Sequence, residues 1–308
     1  MLGIACVLIW LYLLIGHGGF WRVKMAPHNG SRLADVGTPA RLPQVIAIIP
    51  ARNEEDVIAR AVTSLLAQTN VDLRIVIVDD NSTDTTTEVS RQAGANAAER
   101  VTIITGKPLL AGWSGKLWAV QQGIEDAQQF RPDYLLLTDA DIEHSPDSVS
   151  SLVTIAERGR YDLASYMAKL ECRSRAERLL IPPFVYFFLQ LYPPKWIADP
   201  RSTMAGAAGG CILIRPEALQ RAGAMESIRA EIIDDCALAR AVKRTGGRIW
   251  LGLTNTAASI PGILAPILTG FIVKFTGDWN MVFYIAIGVM VFGTIVWDVF
   301  ASGKKIFD

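Results

Sequence analysis

After residue 43, short apolar runs alternate along the chain with segments whose apolar positions have helical spacing. The runs are rich in Val, Ile and Leu, which predicts β-strands at residues 45–49, 73–78, 101–104 and 134–137. Helical spacing predicts helices at residues 57–66 and 117–128, with Asn53 as the cap of the first. This order predicts an α/β fold, in which helices flank a mostly parallel sheet and ligands bind at the carboxyl ends of the strands.

Both ends of the chain are apolar enough to enter a membrane. Residues 1–21 are nearly continuous apolar sequence and predict a transmembrane anchor, followed by a linker at residues 22–42. Basic residues follow the anchor and do not precede it, which places the next domain, residues 43–253, in the cytoplasm. Residues 254–308 predict a hairpin of two transmembrane helices, so we expect a multi-pass membrane protein with a cytoplasmic catalytic domain.

A third apolar segment, residues 179–192, is aromatic and is interrupted by Pro182 and Pro183. It is too short to span a bilayer. The lysine and tryptophan that follow, Lys195 and Trp196, suit a membrane interface. Two interpretations stay open: a segment lying on the cytoplasmic leaflet, or a buried core helix.

Composition adds to the membrane character and disfavours nucleic acid as a partner. The 308 residues include 30 basic and 30 acidic side chains, so no net positive charge would attract nucleic acid. Hydrophobic residues make up 51% of the chain, and the mean hydropathy is +0.28. The four cysteines lack metal-binding spacing and indicate buried thiols in a reducing compartment.

Polar clusters lie at the turns between the predicted strands and helices. They are Pro50-Ala51-Arg52-Asn53-Glu54, Asp79-Asp80, Gly115-Lys116 and Asp139-Ala140-Asp141. Because the carboxyl ends of parallel strands meet at one edge of a sheet, we expect these clusters to form one site. Its carboxylates can accept from a base or a ribose hydroxyl, and Lys116 can reach a phosphate. The set therefore predicts a site for a nucleotide diphosphate.

The spacing of Asp139 and Asp141 favours a divalent cation. Residues two apart in a strand point the same way, and two close carboxylates repel each other unless a cation joins them. Oxygen ligands of this kind suit Mg²⁺ or Mn²⁺; the alternative is an acidic turn without a ligand. Leu110 stands where a Walker loop needs glycine, and the chain has no Gly-x-Gly-x-x-Gly motif, which disfavours a P-loop ATPase and a Rossmann dehydrogenase.

These clusters resemble those of the family 2 inverting glycosyltransferases, which have the GT-A fold of nucleotide-diphospho-sugar transferases. Further segments, among them Gly112-Trp113-Ser114-Gly115-Lys116-Leu117-Trp118 and Ala207-Ala208-Gly209-Gly210-Cys211, are similar to the hopene-associated subgroup. The resemblance covers residues 1–253. It implies a nucleotide-sugar donor and a lipid-linked or hopanoid-type acceptor. The Gln-x-x-Arg-Trp signature of the processive members is absent, which favours a single transfer.

Glycosyl transfer with inversion also needs a group that takes the proton of the acceptor hydroxyl. Asp234 and Asp235 follow an apolar pair at the start of a predicted helix; helix capping is the alternative explanation for one of them. The resemblance implies that Asp235 is the base and that Asp234 assists it. Gly209 and Gly210 permit close backbone approach to the sugar or acceptor, or form a simple turn. His144 is expected to be a solvated loop residue.

The last part of the chain resembles a different family. Asn255-Thr256, Ile260-Pro261-Gly262 and Phe300-Ala301-Ser302-Gly303 are similar to the last two helices of the anion/phosphate symporters of the major facilitator superfamily. The chain thus resembles a fusion. We favour a metal-dependent glycosyltransferase over two alternatives: a nucleotide-sugar-binding protein that has lost catalysis through the fusion, and a transporter fragment. One hairpin cannot supply a transport path, so no transport is inferred.

Overall fold

The sheet follows the alternating pattern of the sequence and adds one antiparallel strand. In the computed structural model, which describes residues 8–22, 41–168, 170 and 174–253, its strands are β1 (Gln44–Ala51), β2 (Asp72–Asp79), β3 (Val101–Thr105), β4 (Tyr134–Thr138), β5 (Leu163–Met167), β6 (Cys211–Ile214) and β7 (Ile249–Leu253). Their order is β3-β2-β1-β4-β6-β5-β7. β6 runs antiparallel to β4 and β5, and the other neighbours are parallel, so the sheet is mostly parallel as predicted.

Helices connect these strands and cover both faces of the sheet. They are α1 (Ile58–Leu66), α2 (Thr86–Ala93), α3 (Gly115–Ala127), α4 (Ser148–Gly159), α5 (Arg175–Leu191), α6 (Pro194–Ala198), α7 (Pro216–Arg221) and α8 (Asp234–Arg244). The alternation along β1 divides the core between the two faces. Ile46 and Ile48 pack in a cluster with α3 and α8, whereas Val45, Ala47 and Ile49 pack with α1 and α4.

Asn53 does not cap α1, which corrects the prediction. The helix begins at Ile58, and its N-cap, Val57, makes no side-chain capping bond. Asn53 instead has a positive φ of 56°, and its Oδ1 accepts from the backbone N–H of Thr83 at 2.8 Å. A left-handed residue suits a turn, where the Asn side chain can bond to nearby backbone. This hydrogen bond joins the loop after β1 to the loop after β2.

The structure describes only part of the predicted membrane segments. Residues 254–308, the predicted hairpin, lie outside the described residues, as do residues 1–7 and most of the linker. Residues 8–16 are helical, ending in the π-helical turn Tyr12–Gly16. Within the described part of the chain, we find no helix with the length and apolarity needed to cross a membrane.

Residues 179–192 fall mostly within α5, which continues through Pro182 and Pro183. The helix buries Val185 and Leu189, but Phe184 and Phe187 are 57% and 59% exposed. Its first turn is held by a capping box between Ser174 and Glu177. The alternative of a buried core helix is therefore wrong.

Gly123 provides a test of the packing between α3 and the sheet. A Cβ at this position would lie 2.5 Å from Ile48 Cγ2 on β1, which is fully buried. We expect Gly123→Ala to lower the thermal midpoint of unfolding. Overpacking a core costs about 1–3 kcal/mol, and a clash this short should cost an amount near the top of that range. This cost exceeds the ~1 kcal/mol that alanine gains over glycine in helix propensity. Glu125→Ala, on the exposed side of the same helix, is the control and should change stability by less than ~0.5 kcal/mol. Equal midpoints for the two variants would contradict this packing.

Candidate functional site

A cleft opens where the carboxyl ends of β1 and β4 meet the first turns of α3 and α8. Residues from five separate parts of the chain form its polar side: Pro50, Lys116, Thr138, Asp139, Gly209, Asp234 and Asp235. Its floor is apolar and is formed by Leu117, Val120, Leu137, Ile212, Met225, Ile228 and Leu238. The structure thus brings Asp139 together with Asp234 and Asp235, which are about a hundred positions apart in sequence.

Lys116 is the positive charge at the centre of this polar group. The Nζ atom lies 2.8 Å from Asp139 Oδ1 and 3.6 Å from Asp234 Oδ2. The first turn of α3 positions it, because Ser114 caps that helix by accepting from the backbone N–H of Leu117. Burial opposes the charge on Lys116, but the carboxylates of Asp139 and Asp234 outweigh it and raise the pKa of the ammonium.

Asp235 lies beside Asp234 at the start of α8, and both are partly buried. Burial raises the pKa of Asp235, and the negative charge of Asp234 raises it further; hydrogen bonds from the backbone of Cys236 and Gly209 oppose this rise. The Cys236 N–H donates to Asp235 Oδ1 at 2.6 Å. A Cβ on Gly209 would lie 3.5 Å from Asp235 Oδ2, so the backbone here passes close to the carboxyl group. A carboxylate with a raised pKa is a stronger base than an exposed one.

Asp80 and Asp79 differ in what their carboxylates contact. Asp80 Oδ2 lies 3.6 Å from an Arg52 guanidinium nitrogen, and a Cβ on Gly115 would lie 3.3 Å from the same oxygen. Burial raises the pKa of Asp80, and Arg52 partly opposes this shift. Asp79 instead accepts from the Ser82 N–H at 3.0 Å and from the Thr87 hydroxyl at 2.6 Å. The Asp79 carboxylate therefore orders the loop after β2.

The loop after β1 brings another carboxylate towards Asp139 and Asp141, the acidic pair that follows β4. Ala51 is buried at the end of β1, and its carbonyl accepts from the Asp80 N–H at 2.8 Å. Burial raises the pKa of Glu54, and the charges of Asp141 and Asp139 raise it further. Negative charge therefore accumulates at this point, which would favour a cation.

The donor set fits a cation that takes further ligands from a substrate. Among the residues that the structure describes, no group of three or more His, Cys, Asp or Glu side chains is arranged to hold a metal ion. Asp139 and Asp141 supply hard oxygen ligands, and Asp141 is exposed. Mg²⁺ commonly binds through one or two carboxylates plus substrate phosphates, so this pair suits such a cation.

His144 is placed differently from expectation. His144 is 6% exposed, and the prediction of a solvated residue is wrong, because the loop after β4 turns inwards and the His144 N–H donates to Ser64 Oγ at 3.0 Å. Burial lowers the pKa of His144 to about 4. Its Nε2 lies 3.0 Å from Thr138 Oγ1, which donates to the Gly210 carbonyl at 2.8 Å. Gly210 packs against Ile142, whereas Gly209 lines the cleft.

The sequence does not predict that the apolar floor of the cleft belongs to the site. Met225 and Ile228 belong to the 3₁₀ turn Met225–Ile228, and the Arg229 carbonyl that follows accepts from the Ser114 N–H at 2.9 Å. This contact joins the turn to the start of α3. No motif distinguishes these residues from other core positions, so the sequence offered no signal for them.

Comparison with solved structures shows the same fold elsewhere. The chain resembles the mannosyltransferase PcManGT from Pyrobaculum calidifontis, solved in complex with GDP-Man and Mn²⁺, at 20% identity and a TM-score of 0.54. The likeness covers 87% of this chain and 72% of that one. It supports the GT-A architecture.

Curated relatives match shorter parts of the chain. The 4,4'-diaponeurosporenoate glycosyltransferase of Staphylococcus aureus is 36% identical over 107 residues, 34% of this chain and 26% of that protein. The chloroplastic ascorbate transporter of Arabidopsis thaliana is 42% identical over 60 residues, 20% of this chain and 11% of the transporter. The chain thus spans about a quarter or less of the length of these relatives.

A family model covers the first part of the catalytic domain, up to residue 222. The family model described as glycosyl transferase family 2 matches residues 46–222, which are more than half of the chain. The match begins in β1 and includes α3 and β4, which carry Lys116 and Asp139. The chain therefore belongs to glycosyl transferase family 2.

Proposed function

We propose that the protein is a membrane-bound, inverting and non-processive glycosyltransferase, which moves a sugar from a nucleotide-diphosphate donor to the hydroxyl of a lipid acceptor. The observation that carries this proposal is the convergence of Lys116, Asp139, Asp234 and Asp235 on one cleft. Family membership supports the reaction class. The S. aureus relative is named for a lipid-type acceptor, and a hopanoid is the acceptor that we propose to test first.

The donor lies along the carboxyl edge of the sheet in this proposal. Asp80, with Arg52 beside it, accepts from the base, and the backbone at Pro50 lies in the cleft next to the donor. Lys116 moves from its carboxylate partners to a phosphate oxygen. Asp141 and Asp139 would hold Mg²⁺ or Mn²⁺, which when bound neutralises charge on the leaving diphosphate.

Asp235 is the base for the acceptor. Its carboxylate takes the proton of the acceptor hydroxyl as that oxygen bonds to the anomeric carbon. The bond from this carbon to the phosphate oxygen breaks on the opposite side, and its electron pair leaves with the nucleoside diphosphate. Displacement from one side inverts the anomeric configuration. Asp234 and Asp139 both form ion pairs with Lys116, and the charge of Asp234 helps to keep the pKa of Asp235 raised. The Gly209 backbone lies close to Asp235.

The membrane topology and the fusion are also proposals. Residues 1–21 anchor the chain, and residues 254–308 form a transporter-like hairpin that replaces the membrane tail of the transferase. The catalytic domain then lies in the cytoplasm. The similarity to a transporter extends over 60 residues, which are 11% of that protein. It therefore supports a transporter-like origin for one segment of this chain only.

The role of Asp141 can be tested through donor binding. Titration calorimetry with a panel of nucleotide sugars should show that Mn²⁺ strengthens binding to the wild type. We expect Asp141→Asn to lose this strengthening, because a carboxylate ligand of the cation is removed. Glu143→Gln, an exposed acid two positions further on, is the control and should keep it. Equal Mn²⁺ dependence in wild type and Asp141→Asn would refute the metal role.

Lys116 should contribute charge to donor binding. A hydrogen bond to a charged group is worth about 1.5–3 kcal/mol, so Lys116→Met should raise the donor Kd by about tenfold or more. Lys116→Arg keeps the charge and should bind the donor more tightly than Lys116→Met. The same calorimetric titration measures both variants. A Kd unchanged in Lys116→Met would remove this residue from the phosphate site.

Asp235→Asn should lower the transfer rate by about 10²–10⁴-fold while donor affinity stays near that of the wild type. The pH profile supplies a second test. The base is inactive when protonated, so kcat/KM should fall as pH drops below the pKa of Asp235. Asp234→Asn removes the like charge that raises this pKa, so the acid limb should move to lower pH. An acid limb that does not move, or moves to higher pH, would contradict the assigned pair.

A further inference from the structure

Two segments far apart in sequence expose large apolar side chains. In the first, residues 8–15, the exposed side chains are Leu8, Ile9, Trp10, Leu11, Tyr12, Leu14 and Ile15. In the second, α5, they are Leu179, Leu180, Phe184, Phe187 and Leu191. Contiguous exposed apolar surface on a folded domain commonly marks a site of interaction with a protein or a membrane.

The exposed side chains of α5 follow helical spacing. Leu180, Phe184, Phe187 and Leu191 are separated by four, three and four positions, which places them on one stripe. Val185 and Leu189 lie on the other side of the helix and are buried. The helix is therefore apolar on both sides, and one of these sides faces away from the core.

The two segments are joined by contacts between the residues that follow the first and the end of the second. His17 Nε2 lies 2.8 Å from the Gln190 carbonyl oxygen, and the His17 ring packs edge-on against Trp196 with centroids 4.9 Å apart. Phe20 is 2% exposed and packs against Tyr186 with centroids 5.3 Å apart. These contacts hold residues 17–20 against the C-terminal half of α5 and against Trp196. We call the exposed apolar side chains of residues 8–15 and of α5 together the docking face.

The charge around the docking face favours an anionic surface as its partner. Residues 8–22 and the helices α5 and α6 contain four basic residues, Arg22, Arg175, Arg178 and Lys195, and one acid, Glu177, which caps the start of α5. Arg22 and Lys195 are exposed, and the Arg22 guanidinium lies over the Trp21 ring, 4.4 Å from its centroid. Exposed Trp and Tyr beside basic residues are typical of a membrane interface. A second copy of this chain would bring like charges together, so it fits the face less well.

The residue that follows α5 connects the docking face to the start of α8. Tyr192 directly follows α5, and a Cβ on Gly206 would lie 2.8 Å from its ring. The Tyr192 side chain lies close to Cys236, which adjoins Asp235. Ile232 and Ile233, directly before α8, are 96% and 60% exposed. Apolar surface is thus present both on the docking face and at the edge of the cleft.

We propose that the docking face lies against an anionic lipid bilayer, with residues 8–15 among the acyl chains as part of the anchor, the exposed stripe of α5 in the interfacial region, and Arg22 and Lys195 at the headgroups. The face thereby holds the mouth of the cleft against the membrane. Ile232 and Ile233 then contact the apolar part of the acceptor while its hydroxyl reaches Asp235. This last step rests on the proposed function; the contact with lipid does not.

A local probe tests this contact in the full chain, because other segments also contact lipid under the proposed topology. Cys6→Ser and Cys172→Ser remove the cysteines outside the described residues, and Cys211 and Cys236 are buried. An environment-sensitive fluorophore is attached to Phe187→Cys in this background. The matched control is Thr63→Cys, exposed on α1, which packs on the opposite face of the sheet. Each protein is reconstituted in phosphatidylglycerol-containing vesicles with and without doxyl-labelled lipid.

The label on Phe187→Cys should shift its emission to the blue and lose intensity with doxyl lipid, whereas the label on Thr63→Cys should do neither. Vesicles of neutral lipid alone should reduce the quenching at Phe187→Cys. An unshifted label overturns the proposal, and so does a blue-shifted label that doxyl lipid leaves unquenched, because protein then covers the face.

Donor binding, measured by thermal shift on the same labelled proteins, separates this proposal from the proposed function. Quenching without donor binding would support the docking face and count against the transferase. Donor binding without quenching would do the opposite.

Discussion

The ammonium group of Lys116 lies among the carboxylates of Asp139, Asp234 and Asp235, and the chemistry of the cleft depends on this balance of charge. One positive charge faces three acidic groups, and Glu54 and Asp141 add to the negative side. A diphosphate would meet net repulsion there unless a cation came with it. Burial raises the pKa of Asp235, and the negative charge of Asp234 raises it further, which suits a base. The acidic surroundings therefore favour a cation, whereas burial is the main cause of the basicity of Asp235.

The fold creates this balance by bringing strand ends and helix starts to one edge. β1 and β4 are parallel neighbours, so the loops that follow them, with Glu54 and Asp141, lie side by side. β6 is antiparallel to β4 and starts directly after Gly210, and the Gly209 backbone just before it passes close to Asp235. α3 and α8 then direct Lys116 and Asp234 at each other from separate parts of the chain. Each helix also buries an apolar face in the same core cluster, so packing fixes the distance between the charges.

Much of this arrangement could be predicted from the sequence, because it follows from local pattern. The alternation of apolar runs with segments of helical spacing predicts the α/β class. The carboxyl ends of parallel strands meet at one edge of a sheet, and this rule predicts that Lys116 and Asp139 lie in one site. The environment of His144 could not be predicted, since a contact with Ser64, eighty positions away, buries it. Asn53 had the residue type of a helix cap, but the distant Thr83 N–H takes its side chain. The exposed stripe of α5 could not be predicted either, because the helix is apolar on both sides and only the rest of the fold decides which side is covered.

The central claim is that these distant acidic groups act on a single donor sugar. Release of nucleoside diphosphate from a panel of nucleotide sugars tests it most directly, using the full chain in vesicles of a lipid extract with Mn²⁺. The account predicts release from at least one donor, dependent on both the extract and the cation, and lost in the Asp139→Asn/Asp235→Asn double variant. Release that the double variant retains in full, or its absence with every donor in the panel, would contradict the account.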